Sequence, residues 1–515
     1  MSAAGRLHHE AALSQGQDGA RTEAVARQHS LGKRTARERI ALLADDGTFI
    51  EIGALATPET PVGTAPLHAD ALVTGLAEID GRAAVVVSSD FTVAGGSNGD
   101  LGNEKLRRCW ELAATRGIPV VMIFDGGGHR IQEGLDARRF AFGFDFQQML
   151  TRLSGWVPLV SAVMGPAFGQ PTLTAGLCDF VVAVRGMASI GMAPPRIVRG
   201  ATGEDVDTDE IYSSDAQESF GVIDLAVDDE VEAMDAIRGY LSLLPQNAEC
   251  GPVNAPGSPP PTSLAGRIDD LVPADLRRGY DMREVVEALV DENSMVELKA
   301  GFGRNMLSVL AAIDGRSVGI IANQPLHRAG MLDADAADKA AHLVSLCEAF
   351  ALPVLVMMDL PGLAVGADAE RNGLARSAAR LTLELASATV PTVTILVRKG
   401  YGGGYIVMSG GRTFHPELVI AWPHAESGVM PVDAAVELVF RREIAAADDS
   451  EAAKQRLVST HRANLGAVRA AEGFAVDAIV RPSQTREMLA ATLRTLPRRR
   501  LMQTLTPRHR PVSPL

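Results

Sequence analysis

Apolar, β-branched runs recur along the chain and are separated by helix-length stretches of mixed polarity. Runs such as AAVVVSS and PVVMIFD in the first half, and SVGIIAN and PVLVMMD in the second, are bounded by Gly, Pro or Asp. Such runs are typical of strands buried on both faces. Between them lie GNEKLRRCWELAATRG and DAADKAAHLVSLCEAFA, which have the length of helices. The order strand, helix, strand predicts right-handed βαβ units and an α/β fold in both halves.

The second half repeats the first at a nearly constant spacing. The sequence IDGR begins at Ile79 and again at Ile313, which is 234 residues later (313 − 79). The same spacing relates three further pairs: Asp125 with Asp359, Lys105 with Lys339, and Gly169 with Gly403. It grows to 238 between Met192 and Met430, which indicates four inserted residues in the second copy. A repeat this long is not a solenoid of small units, so it predicts an internal duplication of one whole domain, with sites between the copies.

Local signals suggest where these domains begin and end. The first 30 residues are polar and rich in alanine, and we expect a frayed or peripheral helix there. Thr35 followed by Glu38 is a capping-box pattern that predicts a helix over about 36–44. The chain from Arg498 onward carries three consecutive arginines and is interpreted as a solvated basic tail.

A Pro/Gly/Ser stretch, GPVNAPGSPPPTS, begins directly after Cys250 and cannot hold regular structure. We therefore predict an N-terminal domain over 1–250, a linker over 251–261 and a C-terminal domain over 262–515.

Composition narrows the class of protein. The 515 residues are 46% apolar and 22% charged, which is globular. A formal charge of −14 argues against a nucleic-acid partner. The four cysteines show neither C-x-x-C spacing nor pairing, so we predict no zinc site, no disulfide scaffold and a reducing cytoplasm. No run of 18 apolar residues occurs, so no membrane span is predicted.

Two glycine-rich stretches follow buried strands: VMGPAFGQPTL around Gly169 and RKGYGGGYIVMSG around Gly403. A glycine-rich turn from a strand into a helix points unpaired backbone N–H groups at a cleft, where they suit an oxyanion. Glycine also simply permits a tight turn or close packing, and for one loop alone that reading is favoured. Two such loops at matching positions favour function.

A third cluster, DGGGHRIQEG, begins at Asp125 and offers Gly127, Gly128 and Arg130 as substrate-binding candidates. Neither GxGxxG in a dinucleotide context nor a P-loop is present, so hydride transfer and nucleotide hydrolysis lack sequence support. No catalytic triad or metal-ligand pattern stands out, and no metal is predicted.

The motifs resemble the carboxyltransferase β-subunits of biotin-dependent acyl-CoA carboxylases, of the propionyl-CoA and acetyl-CoA carboxylase type. The resemblance covers about 32–496, and its most specific pieces are GKRTARERIALL, DFTVAGGSNGD, DGGGHRIQEG, RKGYGGGYIVMSG and AWPHAESGVM. It implies two tandem crotonase-like domains, a homo-oligomer in the form of a hexamer, and a site between the N-domain of one subunit and the C-domain of its partner.

The resemblance also implies a mechanism and a partner. Backbone amides at Gly403 and Gly404 would hold the ureido oxygen of carboxybiotin, and those at Gly169 and Gln170 would stabilise the enolate of an acyl-CoA that receives the CO2. The chain lacks a Met-Lys-Met biotinylation motif and an ATP-binding domain. It would therefore need a biotinylated α-subunit or biotin carboxyl carrier protein.

Several positions depart from the pattern of this family. Gln170 replaces a glycine and Pro171 follows it; the glutamine either strains the turn, if positive φ is required, or reshapes the acyl pocket. Tyr405 and Ile406 are predicted near the acyl group, and Ile406 replaces an acid and makes the pocket more apolar. Two alternatives remain open: an acyl-CoA decarboxylase on the same fold, and a catalytically weak structural paralogue in a mixed carboxylase complex.

Overall fold

The computed structural model describes residues 3–59, 65–135, 137 and 145–500. The chain divides into two compact units, 1–250 (unit 1) and 251–515 (unit 2). No helix within the described ranges is long and apolar enough to cross a membrane. The predicted α/β class is confirmed in both units.

Unit 1 is built on an eight-stranded sheet in the order β1-β2-β3-β5-β7-β8-β10, with β9 beside β7. The pairs β1–β2 and β2–β3 are antiparallel, and the remaining pairs are parallel. The strands are β1 (Ile50–Ile52), β2 (Leu72–Ile79), β3 (Arg82–Ser89), β4 (Ser97–Asn98), β5 (Val120–Gly126), β6 (Gly128–His129), β7 (Leu159–Phe168), β8 (Phe180–Val184), β9 (Ser189–Gly191) and β10 (Leu225–Val227). The short strands β4 and β6 pair separately.

The helices of unit 1 flank this sheet. They are α1 (Ala3–Gln15), α2 (Thr22–Ser30), α3 (Ala36–Leu43), α4 (Asp100–Arg116), α5 (Ile131–Gly134), α6 (Asp145–Leu153), α7 (Gln170–Ala175), α8 (Pro195–Thr202), α9 (Thr208–Ile211), α10 (Ser214–Ser219) and α11 (Glu230–Ser242). The predicted helix over 36–44 is confirmed as α3, and Thr35 and Glu38 form the capping box. Trp110 of α4 is buried in the core against the sheet.

Unit 2 repeats the architecture in the order β11-β12-β13-β14-β15-β16-β18, with β17 beside β15. Its strands are β11 (Val296–Glu297), β12 (Met306–Ile313), β13 (Arg316–Asn323), β14 (Val354–Leu360), β15 (Thr392–Tyr401), β16 (Leu418–Ala421), β17 (Glu426–Gly428) and β18 (Ala478–Ile479). Its helices are α12 (Thr262–Ala265), α13 (Ile268–Leu271), α14 (Met282–Glu287), α15 (Ala334–Phe350), α16 (Ala367–Arg371), α17 (Leu374–Ser387), α18 (Gly402–Val407), α19 (Val432–Val439), α20 (Arg441–Ala446), α21 (Ser450–Arg462), α22 (Ala467–Glu472) and α23 (Pro482–Thr495).

Backbone conformation supports the duplication residue by residue. Among the described residues, left-handed φ angles recur 234 positions apart in eight pairs: Ala69 with Gly303, Asp80 with Asp314, Gly81 with Gly315, Ala94 with Arg328, Gly95 with Ala329, Gly96 with Gly330, Gly117 with Ala351, and Gly128 with Gly362. Equivalent turns therefore have equivalent geometry in both units.

The spacing changes before the glycine turns, which corrects the pairing of Gly169 with Gly403. Val120 pairs with Leu159 and Val354 pairs with Thr392, so the spacing falls from 234 (354 − 120) to 233 (392 − 159) at β7 and β15. The counterpart of Gly169 is therefore Gly402, and that of Gln170 is Gly403. The spacing reaches 238 at β8 and β16 (418 − 180), so five residues are inserted there rather than four.

Three segments expected to be peripheral are bound to their units. In the N-terminal segment, Gln28 of α2 donates to Asp125 at 2.8 Å. The segment 251–261 holds no helix or strand, yet Ala255 N–H donates to Gly315 O at 2.9 Å in the β12–β13 turn. The solvated tail predicted from Arg498 is wrong for its first part, because Arg499 pairs with Glu348 at 2.8 Å. Its remainder, 501–515, lies outside the described residues.

Candidate functional site

Loops rich in glycine converge at one edge of the sheet in unit 1. The strands β3, β5, β7 and β9 are mutually parallel, so their carboxyl ends lie at the same edge. The loops leaving them are 94–96, 127–128 and 169–170, and the chain after β9 begins with Met192. Unit 2 places 328–330, 362, 402–404 and Val429 in the same way. This edge is the candidate site of each unit.

The turn at Gly169 joins β7 to α7. Gly169 has φ +71° and ψ −114°, and its N–H donates to Gly191 O at 3.0 Å. Since that N–H is already bonded within the turn, the geometry argues against Gly169 as an oxyanion donor and favours a conformational role. Gln170 begins the helix and is absent from the residues with positive φ, so the glutamine does not strain the turn. Its N–H belongs to the first helical turn, where donors have no intrahelical partner.

The side chain of Gln170 folds back along α7. Its Nε2 donates to Thr174 Oγ1 at 2.8 Å, one helical turn on. The next residue, Pro171, has no N–H, although its counterpart in unit 2 is Gly404. The turn of unit 1 therefore presents one backbone donor, at Gln170, where unit 2 presents two.

The DGGGHR loop lies against this turn. A Cβ at Gly128 would be 3.0 Å from Cδ of Pro171, and Gly128 has φ +75°. Gly127 N–H donates to Gly95 O at 3.2 Å, which ties the loop to the turn after β3. The structure thus brings Gly127, Gly128 and Gln170 together.

Arg130 has a different environment from the one expected of a ligand-binding residue. Its guanidinium is buried and donates to Asp70 at 2.5 Å, to Ser97 O at 3.0 Å and to Glu133. Asp70 also accepts the N–H groups of Gly99 and Gly102. With two carboxylates compensating its charge, Arg130 holds the loop in place.

The turn of unit 2 begins at Gly402, with φ +61°. Gly403 is exposed on the first turn of α18, whereas Gly404 is buried. A Cβ at Gly404 would be 2.5 Å from Leu360 Cδ1, and one at Gly403 would be 3.1 Å from Leu363 Cδ1. The N–H groups of both glycines lie in the helix start, where they are free of intrahelical partners.

The side chains of Tyr405 and Ile406, which follow this turn, lie in different environments. Tyr405 fills the room left by two other glycines, since a Cβ at Gly400 or Gly410 would approach its ring within 2.6 or 2.5 Å. Burial raises the pKa of Tyr405 above its usual value. Ile406 is 54% exposed on unit 2. Ile406 therefore remains a candidate for contact with an acyl chain, and Tyr405 supports the turn.

A buried carboxylate lies behind the turn of unit 1, which sequence reasoning missed. Asp125, fully buried, accepts from Lys33 at 2.5 Å, from Arg39 at 2.8 Å and from Gln28. Burial lowers the pKa of Lys33, against the opposing effect of Asp125. Gly165 makes room for this cluster, because a Cβ there would be 1.9 Å from Asp125 Oδ1.

The equivalent carboxylate of unit 2, Asp359, is neutralised from another part of the chain. It accepts from Arg398 Nε at 3.0 Å, from Tyr280 Oη at 2.8 Å and from Lys399 N–H at 3.2 Å. Burial, with the neighbouring Asp359, raises the pKa of Tyr280 well above its usual value. Arg398 is the counterpart of Gly165. The position that carries no side chain in unit 1 therefore supplies the cation in unit 2.

A second missed pair lies at the edge of unit 2. Tyr401, the last residue of β15, donates its hydroxyl to Glu426 of the neighbouring strand β17, and both side chains are buried. Burial and the Glu426 carboxylate raise the pKa of Tyr401. The sequence motif AWPHAESGVM contains Glu426, but nothing in the sequence indicates that Tyr401 of β15 is its partner.

Comparison with known proteins gives a consistent result. Residues 27–512 match the family described as carboxyl transferase domain. The chain is 37% identical over 484 residues to the propionyl-CoA carboxylase carboxyltransferase subunit of Haloferax mediterranei, covering 93% of each. It is 37% identical to the methylmalonyl-CoA carboxyltransferase 12S subunit of Propionibacterium freudenreichii subsp. shermanii, over 91% of this chain and 90% of that subunit.

A solved structure agrees with these relatives. The crystal structure of a hexameric transcarboxylase 12S, with methylmalonyl-coenzyme A and methylmalonic acid bound, superposes with a TM-score of 0.90 at 33% identity. The match covers 100% of this chain and 99% of that one.

Proposed function

Because the chain belongs to the carboxyl transferase domain family, we propose that it is the carboxyltransferase subunit of an acyl-CoA carboxylase, moving a carboxyl group between biotin and the α-carbon of a CoA thioester. The observation that carries the proposal is the pair of equivalent strand-to-helix turns, at Gly169 and Gly402, each followed by backbone N–H groups at a helix start.

On the thioester side, unit 1 supplies the N–H of Gln170. Negative charge collects on the thioester oxygen when the α-carbon loses a proton or a carboxyl group, and a fixed N–H donor near that oxygen lowers the barrier. Removing one such donor typically costs about two to three orders of magnitude in rate. The positive end of the α7 dipole acts in the same direction.

On the biotin side, unit 2 supplies the N–H groups of Gly403 and Gly404. Three successive glycines place no side chain over the helix start, and Gly403 is exposed there. A planar carbonyl acceptor such as a ureido oxygen would fit this position. Biotin would supply the carboxyl group and a basic ring nitrogen. The glycine amides would bind and orient that group, and Ile406, which follows them on α18, would offer its apolar surface to the acyl chain.

Partner and assembly follow from the relatives as proposals. Relatives include a subunit of a biotin-dependent acetyl-/propionyl-coenzyme A carboxylase of Mycobacterium tuberculosis, so we place this chain with a biotinylated α-subunit or carrier protein. The hexamer reported for the 12S structure supports a homo-hexamer here.

The reverse reaction tests the proposal without the partner. The purified chain is incubated with malonyl-CoA or methylmalonyl-CoA, with and without biocytin, and loss of the carboxylate is followed. We expect loss that requires biocytin, and the preferred thioester identifies the acyl class. Loss without biocytin would instead favour the decarboxylase, which the altered turn at Gln170 and Pro171 motivates. No loss with any carboxylated thioester would favour the structural paralogue.

Gly403→Val provides the matched variant. A bulky side chain would displace Leu363 and cover the helix start, so biocytin-dependent turnover should fall at least tenfold while CoA binding persists. Gly251→Val, where the structure shows no atom within 4 Å of a Cβ, should behave as the wild type. An unchanged rate in Gly403→Val would remove Gly403 from the biotin side.

A further inference from the structure

The hydroxyl of Thr172 makes three hydrogen-bond contacts at the turn of unit 1. Thr172 is 9% exposed, and its Oγ1 lies 2.6 Å from Ala167 O and 2.6 Å from Gly191 O. It also accepts the N–H of Gly191 at 3.2 Å. One side chain therefore joins the first turn of α7 to the end of β7 and to β9.

The Gly191 carbonyl is shared between this hydroxyl and the turn itself. Gly169 N–H donates to the same oxygen at 3.0 Å. Gly191 is fixed in turn by Tyr212, because a Cβ at Gly191 would be 2.5 Å from the Tyr212 ring. Tyr212 packs edge-on against Phe168, with ring centroids 5.4 Å apart. Gly169, directly before Gln170, and Thr172, two residues after it, are thus tied to one carbonyl.

Unit 2 does not use this arrangement. The counterpart of Thr172 is Tyr405, whose ring packs at Gly400 and Gly410. The turn of unit 2 has two glycine donors, whereas that of unit 1 has lost one to Pro171. A single remaining donor must be aimed accurately, since misplacement by about 1 Å can cost about 10²-fold in rate.

We infer that Thr172 is a positioning residue: its hydroxyl, through the Gly191 carbonyl, fixes the direction of the Gln170 N–H on the thioester side. The inference rests on the proposed function for its effect on rate. Its effect on the turn does not depend on that function.

Thr172→Val and Thr172→Ser separate the hydroxyl from the methyl group. Valine keeps the shape and loses the hydrogen bonds, so kcat for biocytin-dependent loss of the carboxylate should fall about 10- to 100-fold, with KM for biocytin changed less than twofold. Serine should restore kcat to within about threefold of wild type. Thr74→Val is the control, since Thr74 is buried on β2, which β3 and β5 separate from β7, and donates to Ile52 O at 2.7 Å.

Amide hydrogen exchange of peptides spanning 165–175 provides the readout that is independent of activity. Exchange should rise in Thr172→Val and remain at the wild-type level in Thr172→Ser and Thr74→Val. Equal loss of kcat in the valine and serine variants, or unchanged exchange in Thr172→Val, would overturn the inference. An inactive wild type with the expected exchange pattern would count against the proposed function and leave the positioning role supported.

Discussion

At Gly165 the absence of a side chain leaves room for a buried carboxylate. A Cβ there would lie 1.9 Å from Asp125 Oδ1 and 2.7 Å from Lys33 Nζ. The cluster is closed further by Arg39, whose other partner is Glu230 at 2.6 Å. A buried charge is tolerated only when its partners are in place, so the space at Gly165 is a condition for the whole cluster.

Gly165→Ala should therefore destabilise the protein by about 3 kcal/mol, because the added methyl group forces apart a buried ion pair. Urea unfolding followed by circular dichroism measures the change. Gly200→Ala is the matched control: Gly200 lies inside α8 with no atom within 4 Å of a Cβ, and alanine there should be neutral or stabilising by up to about 1 kcal/mol. Similar midpoints for the two variants would contradict the steric account.

The sequence could predict the two turns but not which glycines correspond. The three glycines at 402–404 allow more than one alignment with Gly169. The second copy is one residue shorter before β15, so an alignment that keeps the spacing of 234 pairs Gly169 with Gly403 instead of Gly402. Only φ and strand pairing identify Gly402 as the equivalent. Likewise, the sequence could not show that Gly169 N–H is bonded to Gly191, because that contact depends on β9 lying beside β7.

At the scale of elements, the strand pair β15–β17 carries the Tyr401–Glu426 hydrogen bond directly before the glycine turn of unit 2. The register places Lys399 opposite Glu426 and Tyr401 opposite Gly428. The bond therefore crosses the strands diagonally and limits how β15 can shift against β17. A hydrogen bond to a charged, buried group contributes about 1.5–3 kcal/mol.

Tyr401→Phe should lower the thermal midpoint and reduce biocytin-dependent turnover about tenfold, because it leaves the Glu426 carboxylate buried without its donor. Glu426→Gln keeps a carbonyl acceptor for the phenol and should retain most of the activity. Steady-state kinetics should show the loss mainly in the biocytin dependence, with KM for malonyl-CoA unchanged. Greater damage by Glu426→Gln than by Tyr401→Phe would argue that the charge, rather than the hydrogen bond, is what matters.

Helix α4 carries a buried lysine whose pKa predicts a pH dependence. Lys105 donates to Ala69 O at 2.8 Å and to Leu72 O at 2.5 Å, and burial lowers its pKa to about 8. Between pH 8 and about 10.4, the usual lysine pKa, the unfolded chain binds more protons than the folded one. The contribution of Lys105 to the free energy of unfolding therefore increases with pH across that window.

Lys105→Met should flatten this rise. The difference in urea midpoint between wild type and variant, measured from pH 7.5 to 10, should change in favour of the wild type as pH increases. Below about pH 8 the difference should be constant, because both states of the wild type are then protonated. A constant difference across the whole range would show that Lys105 does not titrate in it.

Elements were more predictable than their contacts. The apolar runs predicted the central strands, and α4 and α15 lie where helix-length stretches were expected. Helix α2 buries only Gln28, which contacts Asp125, 97 residues away in the chain. Periodicity carries no information about such pairs.

For the whole molecule, the duplication preserved a buried carboxylate in each unit while its cations changed origin. Unit 1 takes them from the segment before β1, through Lys33 and Arg39, and unit 2 takes them from β15, through Arg398. The carboxylates occupy equivalent strand ends behind equivalent turns. Because the buried carboxylate is kept while its cationic partners differ, the ion-paired carboxylate, rather than any one cation, is the support that the two turns share.

The segment 251–261 can be tested for its contribution to the stability of unit 2, because its backbone is hydrogen-bonded to that unit. Ser317 N–H donates to Val253 O at 3.2 Å, Glu292 N–H donates to Pro259 O at 3.1 Å, and Arg486 donates to Ser258 O at 2.7 Å. With the bond from Ala255, and about 0.5–1.5 kcal/mol for each of these four hydrogen bonds, residues 262–515 expressed alone should be about 2–6 kcal/mol less stable than 251–515.

Trp422, buried and bonded to Thr485 at 3.0 Å, is the only tryptophan in 251–515 and reports unfolding by fluorescence. Urea midpoints of the two chains give the comparison, and a synthetic peptide of residues 251–261 added to the shorter chain is the control, expected to raise its midpoint. Identical midpoints would mean that the segment is a passive linker, as its composition alone predicts. A lower midpoint restored by the peptide would place the functional boundary of unit 2 at the start of this segment, because a chain that must be bonded to the β12–β13 turn is part of the domain it stabilises.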